Sequence, residues 1–284
     1  MTQHRHFMKI TLIGAGNLAT NLGMALVKAG HSISQVYSRT MTSAEMLANQ
    51  LGAQPTNDID SVNNNADIYI VALKDSVVAT LLPSLAKGRE ERLFVHTAGS
   101  LPAEIFKPYL QRYGVFYPMQ TFSKSRIVDF KQIPCFIEAD SPASLACIRQ
   151  LAASLSDKVM ELDSEKRRYV HLAAVFACNF SNLCYHLADK VLEMENIPFD
   201  VMLPLIDETA RKVHEMSPAE AQTGPAIRYD RNVINAHLAL LKNNAPHTTQ
   251  PESSPLTCHP SSFAEFYQMA SDIIHQLALA NPSK

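Results

Sequence analysis

Residues 8–29, MKITLIGAGNLATNLGMALVKA, constrain this chain more than any other stretch. They open on an apolar run, Ile10-Thr11-Leu12-Ile13, rich in β-branched residues and short enough to form one buried strand. The chain then turns through Gly14-Ala15-Gly16 and enters a segment with Leu18, Leu22, Ala25, Leu26 and Ala29 at helical spacing. A Gly-x-Gly-x-x-Ala run between a strand and a helix predicts a dinucleotide site. Gly14 supplies the tight turn, Gly16 lets a pyrophosphate approach the backbone, and Ala19 permits close helix–strand packing. The first helical residues, Asn17 and Leu18, sit where free N–H groups and the helix dipole favour phosphates. A plain strand–turn–helix that binds nothing shares the local pattern, but it does not account for the continuation.

That continuation is a second strand, Ser32–Tyr37, ending in Ser38-Arg39-Thr40. This is the point where a dinucleotide fold meets the adenosine ribose. An NAD site usually places Asp or Glu here; this chain places hydroxyls on either side of a guanidinium that can pair with a phosphate. The residues therefore predict NADP, the competing reading being an exposed Arg in an ordinary loop. Helix 42–51 with Ser43 as cap, strand 67–73 and a helix from Asp75 with Asp75 or Ser76 as cap follow. Leu73, Lys74 and Asp75 lie at a strand's carboxyl end and so border the cofactor; Asp75 reads equally well as a cap alone. Strand 92–96 ends in His96-Thr97-Ala98-Gly99-Ser100, where Thr97 can reach the cofactor and the His96 imidazole can exchange protons near neutral pH. Strands over 114–117, 135–138 and 158–162, with a helix at 143–155, complete a doubly wound, mostly parallel sheet.

From Ser164 the pattern changes. Residues 164–195 contain neither Gly nor Pro and predict one long helix, with Pro198 beyond its end. Its broad apolar face, Val170, Ala174, Ala177, Phe180, Leu183, Leu187 and Val191, predicts burial between helices, often across a dimer interface. A polar strip of His171, Cys178, Asn179, Asn182 and His186 runs within it. His171 and Asn179 stand eight residues apart, which on an α-helix turns them the same way. Such a strip needs a ligand, a water or a polar partner, although two satisfied core residues would also explain it. Helical pieces over 198–216 and 218–222 lead to Thr223-Gly224-Pro225-Ala226-Ile227-Arg228-Tyr229-Asp230, a Gly-Pro turn with Asp230 placed to cap helix 231–242. Residues 243–260 read as a long surface loop, and helix 261–280 closes the chain. The chain thus divides into an α/β dinucleotide-binding domain, residues 1–162, and an all-helical domain, residues 163–284.

Composition narrows the function. With 46% hydrophobic and 18% charged residues the chain is that of a globular protein, and a net charge of -2 argues against nucleic acid or an anionic membrane as partner. The five cysteines, Cys135, Cys147, Cys178, Cys184 and Cys258, form no Cys-x-x-Cys pair, so they read as reduced thiols, and no metal site is expected. The polar, basic start at 2–9 carries no signal-peptide core, which predicts the cytoplasm.

Several blocks together resemble the Rossmann-like family with a DUF2520 helical domain, a family of NADP oxidoreductases: GAGNLA at 14–19, SRT at 38–40, HTAGS at 96–100, PMQTF at 118–122, HLAAVFACNF at 171–180 and TGPAIRYDRNVINAHLALL at 223–241. More distantly the plan is similar to pyrroline-5-carboxylate reductase, deazaflavin-dependent NADP reductase and the 6-phosphogluconate dehydrogenase superfamily. The resemblance implies an N-terminal Rossmann domain, a helical domain that dimerises, and a substrate between them. Two positions depart from the family: Tyr117 stands where a His commonly precedes the Pro, and Tyr229 where a Gly is common. No match to the Lys-and-Asn helix signature of the β-hydroxyacid dehydrogenases is present, and the spacing of Lys166 gives it no catalytic reading.

Together these features predict an NADP(H)-dependent oxidoreductase that moves a hydride between nicotinamide and a small carbonyl, alcohol or imine carbon in an interdomain cleft. His171 is the first candidate for proton transfer and His96 the second. Asn179, Thr223 and Arg228 would orient the substrate, and Arg228 suggests that it carries an anionic group. The rival is a non-catalytic NADP-binding sensor or regulatory dimer on the same fold.

Overall fold

The structure, a computed structural model, describes residues 7–243 and 260–280. Cys258, the interior of the expected loop over 243–260 and most of the basic start at 2–9 lie outside the described residues.

Eight strands form one sheet among the described residues: β1 (Lys9–Ile13), β2 (Ser32–Tyr37), β3 (Gln54–Thr56), β4 (Ile68–Val71), β5 (Leu93–His96), β6 (Arg112–Pro118), β7 (Cys135–Ala139) and β8 (Val159–Glu161). Their order is β3-β2-β1-β4-β5-β6-β7-β8, and every neighbouring pair is parallel except β6 with β7. The chain winds outward from β1 to β3, then returns to lay β4 against the other side of β1, so β1 and β4 flank the topological switch point. β3, absent from the sequence reading, is an edge strand containing Pro55; it lacks apolar alternation because an edge position does not require it.

Helices α1 (Asn17–Lys28), α2 (Met41–Leu51), α3 (Asp75–Ala86) and α4 (Pro142–Leu155) connect the strands. β4 and β5 are buried at every residue, as expected of parallel strands covered on both faces. Their side chains alternate between two cores. Ile10, Leu12, Ile70 and Val95 join Leu22 and Leu26 of α1 and Leu151 of α4 in one. Ile13, Tyr69, Val71 and Phe94 join Leu82 and Leu85 of α3 in the other, with the Tyr69 and Phe94 rings stacked at 4.5 Å. The period of two in the strands separates these sets.

Two of the expected caps differ. Lys74, extended and without a side-chain cap, precedes α3, so Asp75 is its first residue. Thr40 precedes α2, and its hydroxyl bonds to that of Ser43 at 2.9 Å. Asp230 does cap its helix, its Oδ1 accepting from the Val233 N–H at 3.3 Å.

The chain separates into two compact units, residues 1–178 and 179–284. The strand–helix alternation ends near residue 162, yet helix α5 (Ser164–Ala174) is held by the sheet. Arg167 pairs with Glu138 of β7, and Val170 packs beside Tyr117 and Phe136. The expected single helix over 164–195 is helical almost throughout but not uniform: a π-helical turn, Val175–Phe180, separates α5 from α6 (Ser181–Glu193). The π turn changes the rotation per residue, so the spacing of His171 and Asn179 does not follow the α period.

The second unit contains a 3₁₀ turn (Phe199–Met202), α7 (Leu203–Glu215), α8 (Pro218–Ala221), α9 (Arg231–Asn243) and α10 (Pro260–Ala280). Ser217 and Glu220 form a capping box on α8. α9 and α10 pack together, burying Ile234 and Ala264. The expected burial of the long helix's apolar face is not found in the single chain. No residue of α6 or α7 is buried, and Phe180, Leu183, Val191 and Leu205 are exposed.

Candidate functional site

Parallel strands place their carboxyl ends at one edge of the sheet, and the turns after β1, β4, β5 and β6 gather there. Gly14 adopts a φ of +122°, and a Cβ on it would collide with the carbonyl oxygen of Ala72. Its N–H donates to the Tyr37 carbonyl at 2.8 Å. Both the backbone conformation and the approach to the turn after β4 therefore require glycine here. Gly16 is the opposite case: it is exposed, and nothing stands within 4 Å of where its Cβ would be. It precedes α1 without any side-chain cap, leaving the N–H groups at Asn17 and Leu18 available, while Ala19 is fully buried. An open cradle before an uncapped helix fits a pyrophosphate.

Arg39 is exposed at the carboxyl end of β2 and forms no ion pair among the described residues. Ser38 is fixed through its backbone N–H, which donates to the Thr56 carbonyl at 3.0 Å, and Thr40 is exposed. Leu73 touches the space beside Gly14, and Lys74 is exposed. The Ser100 hydroxyl donates to the Asp75 carboxylate, joining the loop after β5 to the start of α3. The Thr97 N–H donates to the Val71 carbonyl at 3.2 Å, which sets that loop against β4. Asn21, which sequence reasoning passed over, straps the segment after β6 to α1. Its amide donates to the carbonyls of Asn17 and Ser123, and its oxygen accepts from the Val128 N–H.

The two candidate histidines differ sharply. His96 is fully buried; the Ala98 N–H donates to its Nδ1 at 3.2 Å, and its Nε2 faces the Pro102 carbonyl at 3.3 Å. Burial, and secondarily the Arg167 charge, push its pKa down to about 3. His96 is therefore a neutral ring at ordinary pH, and both of its nitrogens are engaged by the loop it supports rather than turned to a substrate.

His171, half-buried on α5, lies over Gly99; a Cβ on that glycine would stand 2.6 Å from the imidazole Cγ and Nδ1. Its Nδ1 is 3.1 Å from the Tyr117 hydroxyl. The glycine of the HTAGS run thus makes room for the imidazole of a helix more than seventy residues later. Behind it, fully buried Arg167 pairs with Glu138 and donates to the Leu101 carbonyl and to Ser164 Oγ. No sequence signal marked Arg167, because its partners are far along the chain.

Asn179, Thr223 and Arg228 belong to the second unit, and all three are exposed. Lys166 pairs with Asp163 at the surface. Tyr229 adopts a φ of +49°, in the left-handed region that favours glycine over a side chain of this size. Its ring stacks on His275 at 4.2 Å, with the Arg231 guanidinium 5.1 Å from its centroid. Among the described residues no group of three or more His, Cys, Asp or Glu could hold a metal, and no helix is long and apolar enough to cross a membrane. A large apolar groove between α1, α4 and residues 127–131 is lined by none of the site residues.

The switch-point glycine turn, its open cradle and the helical second unit define a Rossmann-type dinucleotide-dependent reductase fold. Residues 9–99 match the family described as NADP oxidoreductase, coenzyme F420-dependent, and residues 133–255 match the domain of unknown function DUF2520. A crystal structure of a candidate NADP oxidoreductase from Bacteroides fragilis is 52% identical, covering 95% of this chain and 98% of its own, with a TM-score of 0.86. The chain belongs to this DUF2520 family of NADP oxidoreductases. Two solved structures share the fold at lower identity. An imine reductase from Myxococcus stipitatus in complex with NADP+ is 15% identical, with a TM-score of 0.67, covering 96% of this chain and 95% of its own. A 1-pyrroline-5-carboxylate reductase from Streptococcus pyogenes is 14% identical, with a TM-score of 0.59, covering 95% and 98%. No curated protein matches the chain.

Proposed function

We propose that this oxidoreductase uses NADP(H) and transfers a hydride between nicotinamide and a small carbonyl, alcohol or imine carbon. The observation that carries the reading is the His171 imidazole at the carboxyl edge of the sheet, seated on Gly99. The turn that holds Gly99 is tied to β4, and the turn after β4 abuts Gly14. The cofactor, when bound, supplies or accepts the hydride. The chain's own residues do the rest. Gly14, Gly16, Asn17 and Leu18 cradle the pyrophosphate. Ser38, Arg39 and Thr40 receive the 2′-phosphate, the unpaired Arg39 guanidinium being the group that would favour NADP over NAD. Leu73, Lys74, Asp75 and Thr97 border the cofactor. His171 exchanges the proton with the substrate heteroatom. Asn179, Thr223 and Arg228 keep the substrate-orienting roles that the sequence suggests, with an anionic group on the substrate facing Arg228. In this reading a second copy of the chain covers the exposed apolar helices, so the working enzyme is a homodimer.

A fluorescence titration of the purified chain with NADPH and NADH tests this, with Arg39→Ala alongside. Loss of a hydrogen bond to a charged group costs about 1.5–3 kcal/mol, so the variant should weaken NADPH binding roughly tenfold or more and leave NADH binding little changed. His171→Gln should bind NADPH normally and lose turnover in a screen of carbonyls, alcohols and imines. Binding of neither nucleotide would overturn the proposal. Tight NADPH binding without any turnover would favour the regulatory rival.

A further inference from the structure

We propose that Tyr117 is a positioning residue for the proton chemistry of His171: its hydroxyl donates to Nδ1, so that the ring presents an Nε2–H to the substrate heteroatom. The chemical consequence rests on the oxidoreductase reading above; the hydrogen bond and the tautomer do not.

Tyr117 stands at the carboxyl end of β6 and is almost wholly buried, its ring 6.2 Å from that of Phe136. It meets the His171 ring edge-on, with a 76° angle between planes and 3.1 Å between Oη and Nδ1. Two arrangements satisfy that distance. Either the phenol donates to an unprotonated Nδ1, or a protonated Nδ1 donates to the phenol. A phenol is a far better acid than a neutral imidazole N–H, and an imidazole nitrogen a far better base than a phenol oxygen, so the first arrangement is the stronger. Burial raises the Tyr117 pKa, which keeps the hydroxyl protonated, and the Arg167 charge offsets part of that rise. The remaining ring nitrogen, Nε2, makes no hydrogen bond among the described residues, and packing on Gly99 limits how the ring can turn.

The proton balance then closes through the pair. When the carbonyl or imine carbon takes the hydride, the Nε2 proton passes to the heteroatom and forms its O–H or N–H bond. The Tyr117 proton passes to Nδ1 in the same step, so the ring stays neutral. The phenolate that forms lies in the field of the Arg167 guanidinium; after product leaves, Nδ1 hands the proton back to Tyr117 as water reprotonates Nε2. In the opposite direction each transfer reverses. This role accounts for a tyrosine at position 117: it offers an O–H donor that burial keeps protonated.

The test is the tautomer of His171, read from two-bond ¹H–¹⁵N correlations of the imidazole in the full-length chain at pH 8. The signal is assigned by its absence in His171→Gln. The expected wild-type result is a protonated Nε2 and an unprotonated Nδ1, with or without NADPH. In Tyr117→Phe both nitrogen shifts should move toward a mixed tautomer, kcat should fall about tenfold or more, and the KM for NADPH should hold. A wild-type ring protonated at Nδ1 overturns the proposal, and so does a Tyr117→Phe ring with unchanged tautomer. The wild-type spectrum suffices should the variant fail to fold. Absence of turnover with every substrate would sink the oxidoreductase reading and leave the tautomer result standing.

Discussion

At the scale of single residues, the two histidines show how environment separates groups that look alike in sequence. Both lie in polar runs typical of a site. Only one keeps a free nitrogen, because His96 spends both of its own on the loop it supports. The same burial makes His96 a pH-dependent element of stability. Its folded pKa of about 3 lies below the ordinary 6.5, so the unfolded chain carries the extra proton between those values. Stability is therefore complete above about pH 6.5 and falls as pH drops through the window, by up to about 1.4 kcal/mol per pH unit. His31, whose pKa burial also lowers, acts in the same direction. Urea unfolding at pH 7 and pH 4.5 reads this directly, and His96→Gln should flatten the dependence. An equal slope in that variant would assign the effect to other groups. The glycines were legible at this scale because the motif states their spacing; the seat that Gly99 provides for His171 was not, since its partner lies on a distant helix.

At the scale of elements, strands and helices followed from periodicity wherever the core lies on both sides. β4 and β5 are short apolar runs and are buried throughout. Periodicity failed where neighbours decide instead. β3 exists because β2 offers it an edge, and the π turn at Val175–Phe180 interrupts a sequence that reads as regular helix. The hold on α5 is likewise tertiary. Arg167, wholly buried, ties it to Glu138 on β7 and to the Leu101 carbonyl in the loop after β5. Its Nε has no partner, so the pair stands without a redundant bond on that side. Breaking a buried pair by removing one member costs about 3–5 kcal/mol. Glu138 retains some contact with water and with Ser164, which places Arg167→Met near the lower end. Chemical unfolding of the variant checks this; a loss under about 1 kcal/mol would mean that packing rather than the ion pair holds the helix.

At the scale of the molecule, the helices of the second unit leave large apolar side chains exposed. Leu205, Leu277 and Met269 are among many large apolar residues left exposed. Stable interfaces bury about 800 Å² per partner, an area that several helical faces readily provide. Analytical ultracentrifugation at micromolar concentration should therefore give about twice the 31.4 kDa chain mass, and the double variant Leu205→Glu, Leu277→Glu should shift it to monomer. A wild-type monomer near 10 µM would remove the dimer from the proposal. The sequence by itself determined the doubly wound sheet, the glycine turn at its carboxyl edge and the change to helices after residue 162, because those depend on local periodicity and on Gly14, whose backbone conformation and close approach to Ala72 require glycine. Only the tertiary structure decided which histidine is neutral and buried, what Tyr117 touches, and that Tyr229 adopts an αL backbone. Each of those depends on residues brought together from far along the chain, and burial, charge and hydrogen bonding act through that proximity rather than through spacing.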